Sequence, residues 1–529
     1  MSTTADALRR AAAHAAATGT PAPPIEATNA APASRRGPRG NRQGPRGYIG
    51  PGGGSWQVLP TPPTFRGTSV QVCGVWPFAG GSSRPVVGVP VGQDIQTGST
   101  VCCDPFSWFK AGLISAPSMS IFGLTGFGKS SFAVRQILGC AAAGVVPLMA
   151  GDLKGEYSHV VRALGGQVLR FGEHQRLNLL DLGALAEAAN RVGGQRAAEL
   201  RDIAIDRSTI AVAALVEIAR RSRLRDYEHS LLAGAIRLLH DKHRSTGRDS
   251  PTIADLAALV ENPTGELRRM VLAETHEEYR KETKGLRRSL QAVVEGPLGR
   301  TFSGQSTERL HLDAPAVSID ISVVEKRSET MLAAVMLAAW SEAFASIEAA
   351  NALADAGQAP QRHFLAVMDE MWRPMRLEDA GLVDRLDGIT RLNRAEGVGN
   401  IFVTHSLKDM ESMSSAADVQ KARGFAERSG IVVTAALAKA DLRALSEIKR
   451  LSETEINTVA SWSTPPGWVA RTLRDPVTGS ERPAPPPDAG KVLIKIGERA
   501  GIQTQVKLTP TELALHDTNA RWVTSGDRG

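Results

Sequence analysis

The chain has 529 residues, 42% of them apolar and 22% charged, with a formal net charge of +7. That length exceeds what one hydrophobic core fills, and that composition excludes a chain disordered throughout. The charge argues against a uniformly basic surface, because residues 1–50 carry seven arginines (Arg9, Arg10, Arg35, Arg36, Arg39, Arg42 and Arg46) against Asp6 and Glu26, leaving the body nearly neutral.

Cys73, Cys102, Cys103 and Cys140 show no CxxC or metal-ligand spacing, which fits a reduced cytosolic interior. The first residues, MSTTADALRRAAAHAAATG, lack the continuous apolar stretch of a secretion signal. The apolar run from Met331 to Trp340 meets Ser341 and Glu342 before the ~18 residues that a membrane span needs. The expectation is a cytoplasmic protein without a transmembrane segment of its own, with peripheral docking at the inner face of a membrane left open.

In chain order, residues 1–55 read as a disordered basic tail rich in Ala, Pro, Gly and Arg. Residues 56–117 read as a small β-rich lead-in, with short apolar runs such as TSVQVCGVW and RPVVGVPVG between Gly and Pro. From residue 118 the pattern becomes strand, Gly-rich turn, helix (MSIFG, LTGFGKS, SFAVRQILGCAAA), followed by a second strand, VVPLMAGD. Such alternation predicts an α/β fold with a parallel-dominated sheet, and 118–183 form the first part of its core. Residues 184–310 read as helix after helix at helical apolar spacing, an all-α insertion. Strand character returns over 311–475, at VSIDIS, HFLAVMDE, NIFVTHS and GIVVTAAL, forming the second part of the core. Residues 476–529 carry two alternating runs about Gly501 and read as a C-terminal hairpin and tail.

The strongest chemical signal is Gly123-Leu124-Thr125-Gly126-Phe127-Gly128-Lys129-Ser130, which satisfies GxxxxGK[ST] and is followed by Ser131. It lies between a predicted strand and a predicted helix, the context that a phosphate-binding loop requires. Glycines let the backbone aim its N–H groups at phosphates, Lys129 neutralises them, and Ser130 supplies a Mg²⁺ ligand. Hydrolysis needs a second strand ending in carboxylates, and Phe364–Met368 ends in Asp369-Glu370. Asp369 is read as holding Mg²⁺ and Glu370 as the general base. A third strand ends in Thr404-His405, which makes His405 a candidate sensor of the γ-phosphate. Arg391, Arg394, Arg423 and Arg428 are candidates for a finger inserted into a neighbouring subunit's site.

Further motifs carry a family resemblance. Asp152-Leu-Lys-Gly-Glu156-Tyr157 resembles a D-x-x-G-E-Y segment, and Ala163-Leu-Gly-Gly166, Arg176-Leu-Asn178 and Leu180-Asp181 the stretch that follows it. Asp369-Glu-Met-Trp372 is similar to a D-E-A-W signature; Gly299-Arg-Thr-Phe302 to Asp320, and Leu508-Thr-Pro-Thr-Glu512 through Asp517-Thr518, complete the set. Together they resemble the HerA–FtsK group of ring-forming ATPases, and within it the conjugative and type IV secretion ATPases of the TraC/VirB class, over about residues 85–522. The resemblance implies a RecA-like P-loop core with an all-α insertion and a homo-oligomeric, hexameric ring whose ATP sites are shared between neighbours. It implies ATP and Mg²⁺ as cofactors and components of a conjugation or secretion channel as partners. The family usually has Gln where this chain has His405, and Ala where it has Met371. Two functions stay open at this point: an ATPase that energises conjugative transfer or type IV secretion, and a DNA translocase or coupling protein that pumps DNA itself. A scaffold that only binds nucleotide is disfavoured by the joint presence of Lys129 and Glu370.

Overall fold

The computed structural model describes residues 85–171, 175–324, 328–370, 372–375, 396–406, 416–464, 472–474, 481–484 and 486–515. The strands are β1 (Pro90–Asp94), β2 (Thr100–Cys102), β3 (Ser118–Phe122), β4 (Val145–Asp152), β5 (Gln167–Arg170), β6 (Val317–Asp320), β7 (His363–Asp369), β8 (Val398–Thr404) and β9 (Ile431–Thr434), then β10 (Thr472–Arg474), β11 (Glu481–Pro483), β12 (Lys491–Lys495) and β13 (Ile502–Val506). Apart from a β10–β11 pair, they form one eleven-stranded sheet in the order β2-β1-β13-β12-β9-β3-β8-β7-β4-β6-β5.

From β9 to β5 every pairing is parallel. Strands of such a sheet are covered on both faces and read as continuous apolar runs, and β3, β4 and β8 are buried at every residue. Beyond β9 the pairing turns antiparallel: β12 joins β9, β13 pairs with β12, and β1 with β13 and β2. Gly92 permits the last join, since a Cβ there would stand 2.0 Å from the Gln505 carbonyl oxygen.

Strand alternation divides the core. Met119, Ile121, Ile401 and Val403 face α1 (Pro105–Lys110), α2 (Lys129–Ala142) and α3 (Ser158–Ala163), where Phe106, Phe132, Ile137, Val160 and Val161 pack. Phe122, Val398 and Phe402 face the other way. There, between β5 and β6, the chain runs through α4 (Gly183–Val192), α5 (Gly194–Arg220), α6 (Asp226–Thr246), α7 (Ile253–Glu261), α8 (Gly265–Met270), α9 (His276–Glu282), α10 (Lys284–Glu295) and α11 (Gly299–Phe302). Several starts follow capping rules: Thr252 and Thr264 each accept a backbone N–H three residues on.

Helix α12 (Glu329–Asp355) links β6 to β7 and packs against α4, α5 and β4. Among the described residues it is the helix long and apolar enough to cross a membrane, yet 78% of its most apolar window is buried in the protein. Its apolar surface is therefore accounted for by the core. The remaining helices are α13 (Trp372–Met375), α14 (Ala416–Arg428), α15 (Lys439–Ile448), α16 (Glu453–Ser461) and α17 (Pro510–Leu515).

Candidate nucleotide-binding site

An open parallel sheet offers its ligand edge at the carboxyl ends of its strands. Strand β3 ends there and gives way to Gly123–Gly128, with α2 beginning at Lys129. Gly123, Gly126 and Gly128 have φ values of 157°, 85° and 94°, which side chains resist. At Gly123 a Cβ would also lie 2.7 Å from the Cβ of Ala435. The loop is tied down from three sides. Gly123 N–H donates to the His405 carbonyl at 3.2 Å, Leu124 N–H to that of Ala436 at 2.8 Å, and Gly490 N–H to that of Phe127 at 3.2 Å. Thr125 and Gly126 form the exposed apex, and Ser130 and Ser131 follow in the first turn of α2, where unpaired N–H groups gather.

Because β8 lies between β3 and β7, the residue that follows β8 falls between the loop lysine and the acidic pair that closes β7. His405 bridges them: Nδ1 is 3.0 Å from Lys129 Nζ, and Nε2 is 2.6 Å from Glu370 Oε1. An ammonium only donates, so Nδ1 accepts and Nε2 carries the proton given to Glu370. Thr125 Oγ1 lies 3.4 Å from the same Nδ1, and Lys129 also donates to the Leu124 carbonyl at 3.1 Å.

The acidic pair is buried, with Asp369 7% and Glu370 3% exposed. Glu370 has φ 51°, in the left-handed region, and its N–H donates to the Val403 carbonyl at 3.0 Å. Trp372 Nε1 donates to Glu370 Oε2 at 2.5 Å, and Lys154 Nζ is 3.7 Å from Oε1. Burial would raise the Glu370 pKa, but His405, Lys154 and Trp372 together hold it below the ordinary value. Asp369 is pushed up to about 6, first by burial and then by the charge of Glu370. Lys129 is brought down to about 8 by burial, against the pull of Glu370 and Asp369.

Two more carboxylates line the same edge. Asp152 accepts the N–H groups of Glu156 (3.1 Å) and Tyr157 (2.9 Å), and burial with Asp320 and Asp369 nearby lifts it to about 7. Asp320 accepts from Ser158 Oγ (3.3 Å), from Ser322 N–H (3.0 Å) and Oγ (2.7 Å) and from Arg170 Nε (2.9 Å); burial would raise its pKa, but Ser322 and Arg170 lower it. Tyr157 in turn donates its hydroxyl to Asp369 Oδ2 at 3.1 Å. In the sequence Lys154, Tyr157 and Trp372 carry no role beyond their places in motifs; nothing local signals that they meet Asp369 and Glu370.

Of the candidate arginines, Arg428 lies elsewhere. Helix α14 runs from the ligand edge back to the start of β9; the Arg428 carbonyl accepts from Ser118 Oγ at 3.3 Å, at the beginning of β3. Arg428 thus sits at the amino edge, opposite its own Lys129, with its guanidinium 5.4 Å over the Phe425 ring. Arg423 pairs with Glu447 at 3.4 Å, and Arg391 and Arg394 lie outside the described residues.

Ser130 and Asp369 offer oxygen donors, which Mg²⁺ prefers, and Mg²⁺ normally relies on one or two such ligands plus substrate phosphates. No group of three or more His, Cys, Asp or Glu able to hold a metal occurs among the described residues.

A glycine loop between a buried strand and a helix, with the acidic strand one place removed across a third strand, defines a P-loop protein with a RecA-like core. No protein-family model and no curated protein matches the chain. Among solved structures it is similar to VirB4 of Thermoanaerobacter pseudethanolicus, with a TM-score of 0.58 and 17% identity over 81% of this chain and 99% of that one. The bacterial conjugative coupling protein TrwBdeltaN70 in its unbound monoclinic form gives a TM-score of 0.41 and 11% identity over 74% of this chain and 85% of that one. The fold is therefore that of VirB4.

Proposed function

We propose that this protein is an ATP-hydrolysing motor that energises conjugative DNA transfer or type IV secretion. The observation that carries the reading is the convergence of Lys129, His405 and Glu370 on one edge of a VirB4-like fold, with Lys129–His405 and His405–Glu370 contacts of 3.0 and 2.6 Å. The N–H groups from Leu124 to Ser131 cradle the phosphates, and Lys129 offsets their charge. Glu370 accepts the proton of the attacking water, while His405, seated on both Lys129 and Glu370, senses the γ-phosphate. Ser130, and Asp369 through water, would hold Mg²⁺, which when bound would supply positive charge against the charge that develops on the transferred group. The chain works as a homo-oligomeric ring, a hexamer, in which an arginine drawn from Arg391, Arg394, Arg423 and Arg428 completes a neighbour's site. Channel components are its partners, in the cytoplasm or at the inner face of the membrane.

The arginines of residues 1–50 favour a second reading, a translocase that pumps DNA directly. ATP turnover of the full chain with and without single- and double-stranded DNA separates the two, with Lys129→Ala as the blank. Turnover indifferent to DNA supports the channel-energising motor, and turnover that rises with DNA supports the translocase. Turnover no higher than the blank removes both.

A further inference from the structure

Tyr157 has a hydroxyl that its packing does not explain. The ring is 1% exposed and belongs to the core formed with Met149, Val160 and Val161, where a phenylalanine would fill the same space. A buried phenol needs a hydrogen-bond partner, and this one finds Asp369 Oδ2 at 3.1 Å, on a strand that pairs directly with β4. The segment that delivers it is built for the purpose. Asp152, 2% exposed, accepts the N–H groups of Glu156 and Tyr157 with its two oxygens, at 3.1 and 2.9 Å. Gly155 supplies the left-handed corner at φ 70°, with Asp320 and Ser322 packed beneath it. Read as mechanics, Asp-Leu-Lys-Gly-Glu-Tyr is an anchor, a turn and a donor.

We propose that Tyr157 is a positioning residue for Mg²⁺ binding: its phenol fixes one oxygen of Asp369 and leaves the other for a water of the metal. Residues that orient metal ligands are typically worth about 10- to 100-fold in metal affinity. The inference rests on the reading of Asp369 as the magnesium carboxylate, but not on turnover.

The test uses full-length Tyr157→Phe and a fluorescent ATP analogue, titrated with Mg²⁺ and separately in EDTA. We expect unchanged affinity in EDTA and about 10-fold more Mg²⁺ for half-maximal tightening. Turnover should return towards the wild-type level at saturating Mg²⁺, and Mn²⁺ should reduce the difference. An unchanged Mg²⁺ requirement overturns the proposal, as does loss of affinity in EDTA, which would make Tyr157 a structural support of the loop. If Tyr157→Phe does not fold, Asp152→Asn keeps one acceptor oxygen; a smaller shift in the same direction supports the proposal, and no shift sinks it. A wild-type chain that binds Mg²⁺ and the analogue but fails to turn over would remove the motor reading and leave this titration decisive.

Discussion

Glu370 stands in a backbone conformation that costs a non-glycine residue about 1–3 kcal/mol unless its surroundings hold it there. The bond from its N–H to Val403 provides one hold, and Trp372, His405 and Lys154 on its carboxylate provide others. Glu370→Gln keeps the size of the side chain and an oxygen that can accept from His405; it removes the group able to take a proton, together with the charge that faces Lys154 and the second oxygen that accepts from Trp372. We expect nucleotide to bind as before and turnover to fall by about 10² to 10⁴, measured as phosphate release. Wild-type turnover in that variant would end the general-base assignment. The loop from Gly123 to Ser130 and the Asp369-Glu370 pair were legible in the sequence because each is a local signal, a short residue pattern at the end of an apolar run. The Tyr157–Asp369 bond, between residues 212 apart, was not, because only the pairing of β4 with β7 brings them together.

At the scale of elements, long apolar runs announce themselves and short ones do not. β4, with eight buried residues, and the helical spacing of α5 and α6 are plain in the sequence. β5 is four residues long, with Gln167 and Arg170 at its ends, too short for an alternation to be read. The antiparallel join of β1 to β13 is also invisible, since partners so far apart in the chain leave no mutual pattern. Helix α6 carries a further consequence in His240, 8% exposed, whose pKa is brought down to about 4 by burial and then by His243. An unfolded chain binds that proton from about pH 6.5 downward, whereas folded His240 resists it until about pH 4. Stability present above pH 6.5 is therefore lost as the pH falls towards 4, with a slope of at most about 1.4 kcal/mol per pH unit. His240→Phe should flatten this part of the profile. Urea unfolding at pH 7.5 and 5.0 checks it: the loss between the two should shrink by on the order of 1–2 kcal/mol, and an equal loss in both proteins would show that His240 does not titrate on unfolding.

At the scale of the whole molecule, the sheet order does the assembling. With β8 inserted between β3 and β7, three segments far apart in the chain deliver a cation, an imidazole and a carboxylate to one edge. Arg428 is carried to the opposite edge, so within one chain it is turned away from that chain's own site. The proposed ring would accommodate that geometry: in a head-to-tail interface the surface that one subunit offers is different from the surface that receives it. The consequence is tested by mixing. Lys129→Ala subunits lack a competent loop but keep their arginines, and Arg428→Ala subunits have the reverse defect. If the arginine acts across the interface, each variant is inactive alone, while random equal mixing rebuilds about a quarter of the interfaces with both parts intact. Turnover should reappear on mixing, rise with protein concentration as rings form, and vanish on dilution. The same experiment with Arg391, Arg394 and Arg423 in place of Arg428 identifies the finger. Failure of all four mixtures, in an oligomer verified by sedimentation, would mean that each chain completes its own site and that the ring contributes no residue to hydrolysis.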